Sequence, residues 1–383
     1  MFKKVIIVGG GICGLATALS LTKAGFEVVL FEHNDSFREV GAGLTLWSNG
    51  IYALKRMALH EPVLEAGQVV RHFEFLNSKG RSLGTVDLKK SESSMGVCHL
   101  SIHRMRLMQA LESQLESADS IKFNHEFVSY SQNGSAVHAH FANGHVESGE
   151  ILLDCEGFHS KARKSILNHD NRKYSGYTCW RGVTRIPPGY TARGDIKHYI
   201  GSGAQVGIFD VGFDTVCWYA TANVSAGKKD NGEERKHDVL ERFADYPEEV
   251  TSIFKQTESD DYLKNDIYDR DPVGRWIDDR VLLMGDAAHP TTPNLGQGAC
   301  MALEDAAVIT ACLQKHSDYR YAFARYSRIR KKRTAQIIMD SRRAGEVGQQ
   351  ESRLVLPVRD LVFEAIVKTG QMRSFDQSVC YKV

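Results

Sequence analysis

The chain opens on an unbroken apolar run, Val5-Ile6-Ile7-Val8, halts at three glycines, and continues with helical spacing from about Gly14 to Ala24. It then turns at Gly25 into a second apolar run over Phe26–Phe31. A short run with no polar face predicts a strand buried on both sides. Strand, glycine turn, helix and strand in that order predict a parallel β-α-β unit. Apolar residues spaced near 3.6 predict one helix from Ile51 to about Gly67 and another from Arg104 to Ser117. Residues 70–98 read as a pair of hairpin strands about Ser78-Lys79-Gly80, with further strands near 121–130, 136–142 and 150–155.

From about 176 to 267 the pattern changes. Tyr199–Phe209 and Thr215–Asn223 alternate in the manner of strands, followed by a polar loop at Gly227–Glu234 and an amphipathic helix from about 236 to 254. The apolar strand Val281–Met284 restarts the first pattern, and helices from about 296 onwards fill the rest. The expected fold is α/β. A discontinuous Rossmann-like nucleotide-binding domain (1–72, 98–175 and 268–344) is interrupted by an antiparallel-sheet substrate domain (73–97 and 176–267), and a C-terminal helical segment (345–383) follows.

Composition narrows the class without naming it. With 383 residues, 42% apolar and 25% charged, the chain has the make-up of an ordinary globular protein, and a net charge of +1 gives no pull towards nucleic acid. The first strand starts so early that no secretory leader precedes it, and no apolar run of about 18 residues exists, so a cytoplasmic protein is expected. Eight cysteines without a C-x-x-C pair argue for buried reduced thiols and against a metal site. The basic run Arg328–Arg333 reads as a solvated helix face. The amphipathic stretch Val355–Val367 suits either a core cover or a dimer contact, leaving monomer or homodimer open.

Two glycine-rich turns carry the chemistry. Gly9-Gly10-Gly11-Ile12-Cys13-Gly14 fits G-x-G-x-x-G between a strand and a helix. Gly9 suits a tight turn, Gly11 the close approach of a pyrophosphate, and Gly14 the packing of helix on sheet. Glu32, at the end of the second strand, is placed to accept hydrogen bonds from ribose hydroxyls and disfavours a 2′-phosphate, which points to FAD or NAD. Far downstream, the strand Val281–Met284 stops at Gly285-Asp286, and Pro293-Asn294-Leu295-Gly296-Gln297-Gly298 leads into a helix. A plain NAD dehydrogenase needs no such second turn.

The segment 280–305 resembles the class A flavoprotein monooxygenases, the family of para-hydroxybenzoate hydroxylase, and the resemblance extends over roughly residues 4–345. It implies non-covalent FAD, with Gly9, Gly11, Cys13, Gly14 and Glu32 about the ADP moiety and Gly285 and Asp286 at the ribityl chain. Pro293, Gly296, Gln297 and Gly298 would flank the isoalloxazine ring. Further matches are Arg38, Gly43, Arg104, and Glu156-Gly157-x-x-Ser160-x-x-Arg163, where Glu156 replaces the family's aspartate. Tyr174–Cys179 and Ile267–Arg270 look epoxidase-like, whereas Trp180-Arg181-Gly182 is closer to the aromatic-acid hydroxylases. Gln205 stands near a position where urate hydroxylases resembling this chain carry a basic residue, which makes urate itself a poorer substrate.

The function so implied is hydroxylation of a small aromatic or hydrophobic substrate with NAD(P)H and O2, through a C4a-hydroperoxyflavin. Epoxidation of an isoprenoid-like alkene, a flavin dehydrogenase or oxidase, and a non-catalytic FAD-binding redox partner are the alternatives. The protein then supplies binding, orientation and electrostatics, and no acid–base triad is expected. The inserted sheet should roof the flavin, with Arg181, Phe209, Trp218, Tyr219 and Pro293 as candidate substrate contacts. His289 reads as a structural hydrogen bonder in the flavin turn.

Overall fold

The computed structural model describes residues 4–37, 42–115, 120–169, 171–187, 190, 193–370 and 372–383. Its first sheet has six strands in the order Ile277–Asp278, Val281–Leu283, Ile151–Asp154, Val5–Val8, Val28–Phe31, Ile121–Lys122. All pairings in it are parallel except the first. The two central strands are buried at every position, as the absence of a polar face predicts. The helix Ile12–Lys23 follows directly on the glycine turn and packs against the helix Gly298–Lys315, so the two glycine-rich turns come together through their helices.

The second large sheet has seven strands, in the order Leu263–Asp269, Lys173–Arg185, Thr215–Ala222, Ala204–Asp210, Asp195–Ile200, His72–Asn77, Ser82–Val86. It is antiparallel except where His72–Asn77 runs parallel to Asp195–Ile200. The hairpin near Lys79 is therefore part of the same sheet as the strands beyond residue 173. Its outer face, with Trp180, Val206, Ile208 and Trp218, is covered by the helices Gly232–Arg242 and Glu248–Gln256. Its inner face approaches the short strand Gly43–Leu46 so closely that a Cβ on Gly43 would lie 2.6 Å from Cys217 Sγ and from Phe209 Cε2.

Several elements differ from the pattern-based expectation, each for a local reason. The helix expected over 51–67 is two, Ser48–Arg56 and His60–Glu65, parted at Ala58, whose φ is 55°. Residues 88–95, expected to be strand, form the helix Leu88–Met95, capped by the Asp87 carboxylate on the Lys89 N–H and ended by Gly96 in the left-handed region. The helix expected over 236–254 breaks ahead of Pro247. Tyr199–Phe209 is a hairpin about Gly201–Gly203 rather than one strand. Among the described residues no helix is long and apolar enough to cross a membrane.

Candidate active site

The first glycine turn is built as a cradle. Gly9 has φ 94°, and a Cβ there would strike the Cys155 carbonyl at 2.4 Å. A Cβ on Gly14 would lie 1.9 Å from the Gly9 carbonyl oxygen, so only glycine lets this helix sit on this turn. Gly11 is different: nothing lies within 4 Å of where its Cβ would be, which leaves open space ahead of the helix's unpaired N–H groups. Glu32 is buried; its carboxylate accepts from the Gly10 N–H at 2.7 Å and the Asn34 N–H at 2.9 Å. It thus ties the glycine turn to the end of the second strand; Oε1 also accepts from Asn34 Nδ2 at 2.5 Å and lies 2.9 Å from His33 Nδ1, so Oε2, which accepts from Gly10, is the oxygen with room for a further donor. The Cys13 side chain turns inward, its sulfur 3.6 Å from that of Cys155, so Cys13 could address a cofactor only through its backbone.

Asp286 supplies the sharpest sign of a cleft. It is exposed although Gly285 and Ala287 on either side are buried. Even so, the protein around its carboxyl raises its pKa, chiefly by desolvation, against the opposing pull of His289 and Arg104. Asp286 is thus accessible at the turn while His289 and Arg104 lie near enough to act on its charge. Arg104 starts its helix on the same side, close enough to be felt by Asp286. The turn itself is held from behind. Asp305 accepts from the Gly285 N–H at 2.8 Å and lies 2.6 Å from His289 Nε2, so His289 is structural here. Arg163 donates to the carbonyls of Ala287 and Ala288 at 2.7 and 2.9 Å, joining the 156–163 motif to the turn.

Glu156 does not face this groove as a ligand. Its carboxylate accepts from the N–H groups of Lys161 and Ala162 and so caps the helix Lys161–Leu167. Asp154 lies behind it, fully buried, with its Oδ2 2.5 Å from Ser160 Oγ. Burial raises both carboxyls, and the Asp154 charge adds to the rise at Glu156. Asp154, at the end of an apolar strand, is marked by no motif in the sequence.

In the 293–298 segment, Gly298 opens the long helix with no neighbour near its Cβ direction, and Gly296 passes 2.9 Å from Trp47 Nε1 by the same measure. Pro293 is exposed and starts a short turn. Gln297 departs from expectation. Its side chain is fully buried and accepts from Asn49 Nδ2 at 2.8 Å, which leaves its backbone as the part that could meet a cofactor. Arg38 lies outside the described residues.

The inner face of the seven-stranded sheet closes the groove from above. Arg181, Tyr219 and Gly207 stand in one cross-strand row, and Cys217 and Phe209 in the next. Tyr219 packs beside Tyr177, whose hydroxyl donates to Asn294 Oδ1 at 3.2 Å, so this face meets the 293–298 segment. The expectation for Trp218 fails because a strand alternates its side chains. Lying between Cys217 and Tyr219, it points outward, fully buried against Phe254 and Tyr262, with its indole N–H on Thr257 Oγ1 at 2.9 Å.

A glycine cradle with open space before a helix, a carboxylate at the next strand's end, and a second turn leaving Asp286 exposed beside Arg104 fit FAD, and together with the relatives that follow they make this an FAD-dependent monooxygenase of the class A type. The chain belongs to the FAD binding domain family, whose pattern it matches over residues 3–341. It is 32% identical over 356 residues to the aurachin C monooxygenase/isomerase of Stigmatella aurantiaca, across 93% of this chain and 92% of that one. It is 28% identical over 350 residues to the FAD-dependent urate hydroxylase of Mycolicibacterium vanbaalenii, across 90% of this chain and 88% of that one. In fold it superposes on Klebsiella pneumoniae HpxO, solved with FAD and uric acid, with a TM-score of 0.92 at 22% identity, across 98% of this chain and 96% of that one.

Proposed function

We propose that this enzyme uses NAD(P)H and O2 to hydroxylate an electron-rich aromatic substrate held between the inner face of the seven-stranded sheet and the 293–298 segment. One observation carries the reading: Arg181, Phe209 and Tyr219 share a face that also touches Gly43 and, through Tyr177, Asn294. The cleft so formed offers two aromatic walls, a hydroxyl and a cation. Arg181 lies beside the Cys179 thiol and, among the described residues, pairs with no carboxylate. A guanidinium in that state suits a phenolate or carboxylate on the substrate.

FAD, when bound, supplies the activation of oxygen and its transfer to carbon. The Gly9–Gly14 turn and Glu32 would hold its ADP portion, Asp286 and Arg104 its ribityl and phosphate portion, and the backbone of 296–298 the edge of its ring system. A cavity of about 230 Å³ lined by His159, Ser160, Lys161, Arg163, Lys164, His169 and Arg270 suits the phosphates of the nicotinamide nucleotide. No residue of the cleft needs to act as a nucleophile. The chain's work is to orient the substrate, shield it from water and fix its hydrogen bonds.

The relatives support the aromatic reading, since a urate hydroxylase acts on an aromatic heterocycle and hydroxylation is in its name. A panel of phenols, aromatic acids and N-heterocycles should contain compounds that stimulate NAD(P)H oxidation and gain one oxygen by mass spectrometry. A panel in which only isoprenoid alkenes gain oxygen would replace hydroxylation by epoxidation.

A further inference from the structure

Three neighbouring strands carry, in one row across the inner face of the seven-stranded sheet, His198, Gly207 and Tyr219. The Tyr219 ring lies across the place where Gly207 has no side chain; a Cβ there would be 2.1 Å from Tyr219 Cε1. By crossing that gap the tyrosine reaches a strand that is not its neighbour, and its hydroxyl comes 2.5 Å from His198 Nδ1. The other ring nitrogen of His198 is 2.9 Å from Gln205 Oε1. Gln205 is buried, and its amide is confined by the backbone at Gly348, where a Cβ would lie 2.5 Å from Gln205 Nε2.

The direction of this chain of hydrogen bonds follows from which atoms can donate. An amide oxygen only accepts, so His198 Nε2 carries the proton. Burial lowers the His198 pKa to about 4, and the ring is neutral at working pH with no second proton. Nδ1 is then bare, and the Tyr219 hydroxyl must donate to it. Its one hydrogen is committed. The oxygen keeps lone pairs that no other hydrogen bond among the described residues engages, on the sheet face that carries Arg181 and Phe209.

We propose that His198 and Gln205 fix Tyr219 as a hydrogen-bond acceptor in the substrate cleft, and that the enzyme thereby selects aromatic substrates presenting an O–H or N–H donor to it. The proposal rests on the aromatic-hydroxylase reading and deepens it by naming the group the substrate must carry. Tyr219 is the contact; His198 and Gln205 are positioning residues. An ether or ketone oxygen in the same place would set lone pair against lone pair and leave the tyrosine oxygen unpaired. Donation from a substrate hydroxyl also pushes electron density into its ring, which assists attack by an electrophilic oxygen.

The test uses the FAD-loaded enzyme with a matched pair of probes, 2-naphthol and 2-methoxynaphthalene. Their binding is read from the change in the flavin absorbance spectrum, and their effect on NAD(P)H oxidation is recorded. The native enzyme should bind the naphthol about tenfold more tightly, the value of one neutral hydrogen bond. Tyr219→Phe should bring the two probes to within about threefold of each other. His198→Phe frees the tyrosine hydroxyl to donate, so the methoxy probe should gain and the ratio should fall to one or below. A general loss of structure would weaken both probes together and leave the ratio unmoved, and Tyr219→Phe carries the test if the histidine variant fails to hold flavin. Equal binding of the probes by the native enzyme, or a tenfold preference that persists in either variant, would overturn the proposal. Failure of the underlying reading looks different: neither probe would perturb the flavin or stimulate NAD(P)H oxidation, and the proposal would fall with it.

Discussion

Arg330 Nε stands 2.6 Å from Asp305 Oδ1, with both side chains entirely buried, and Arg330 Nη1 makes a second contact of 2.6 Å with Glu304. The same Asp305 holds Gly285 and His289 from behind, so a buried ion pair underlies the turn that presents Asp286. Arg330→Met should cost about 3–5 kcal/mol, because Asp305 and Glu304 lose the buried cation they share and keep only His289 beside the first and Arg333, at 3.1 Å, beside the second. Denaturant unfolding would measure it, and flavin content should fall in parallel. Lysine should rescue poorly, since one ammonium cannot replace two guanidinium nitrogens aimed at different carboxylates.

The glycine cradle makes a paired prediction. Gly14→Ala should lose both stability and flavin, because its Cβ collides with the Gly9 carbonyl. Gly11→Ala meets nothing in the protein, so the cofactor-free form should keep its melting temperature while FAD binding weakens by tenfold or more. Melting curves with and without added FAD separate the two. Equal flavin occupancy in Gly11→Ala and the native enzyme would place the cofactor elsewhere.

A third prediction concerns pH. Glu156 keeps its proton to about pH 8 in the folded chain, through burial first and the Asp154 charge second, whereas an unfolded glutamate releases it near its ordinary value. Between those limits the folded state binds more protons, so this group makes stability fall as pH rises from about 4.5 to 8. Glu156→Gln, which carries no ionisable proton, should flatten that part of the profile and be the more stable form at pH 8 by on the order of 2 kcal/mol. Parallel native and variant profiles across that range would show that Glu156 ionises normally.

The two faces of the seven-stranded sheet supply a fourth: Phe209, on the strand Ala204–Asp210, faces the cleft, and Trp218, on Thr215–Ala222, faces the outer helices. Phe209→Ala should raise KM for the substrate several-fold by removing a wall of the cleft. Trp218→Phe should leave KM and product unchanged and cost about 1–2 kcal/mol of stability, as its indole hydrogen bond to Thr257 is lost beneath the outer helices. Steady-state kinetics beside thermal melts distinguish the two outcomes.

What the sequence made legible follows from how local each signal is. Gly9–Gly14 and Gly285-Asp286 could be read because a turn, a strand end and a helix start lie within a few residues of each other. Trp218 was misjudged because an aromatic residue in a strand shows its period but not which face is covered; that depends on helices some fourteen to thirty-eight residues later. The run Arg328–Arg333 has the spacing of a solvated helix face, yet Arg330 is fully buried. The carboxylates that neutralise it sit on another helix, and no local pattern pairs them. The helix Leu88–Met95 is hard to see in the sequence because its Asp87 cap follows the strand Ser82–Val86 directly and three of its eight residues are serines. His198 gave no signal at all, for its importance arises only when Gly207 and Tyr219 are brought alongside it.

Oxygen transfer is the centre of this account, and labelled oxygen tests it most directly. The enzyme with FAD, NAD(P)H and a stimulating aromatic compound would be run under ¹⁸O₂, and the product examined by mass spectrometry. The account predicts one atom of ¹⁸O in the product for each NAD(P)H consumed in coupled turnover, and none when the label is supplied as water. A product oxidised without ¹⁸O, or one whose oxygen comes from water, would contradict it and make the enzyme a flavin dehydrogenase or oxidase.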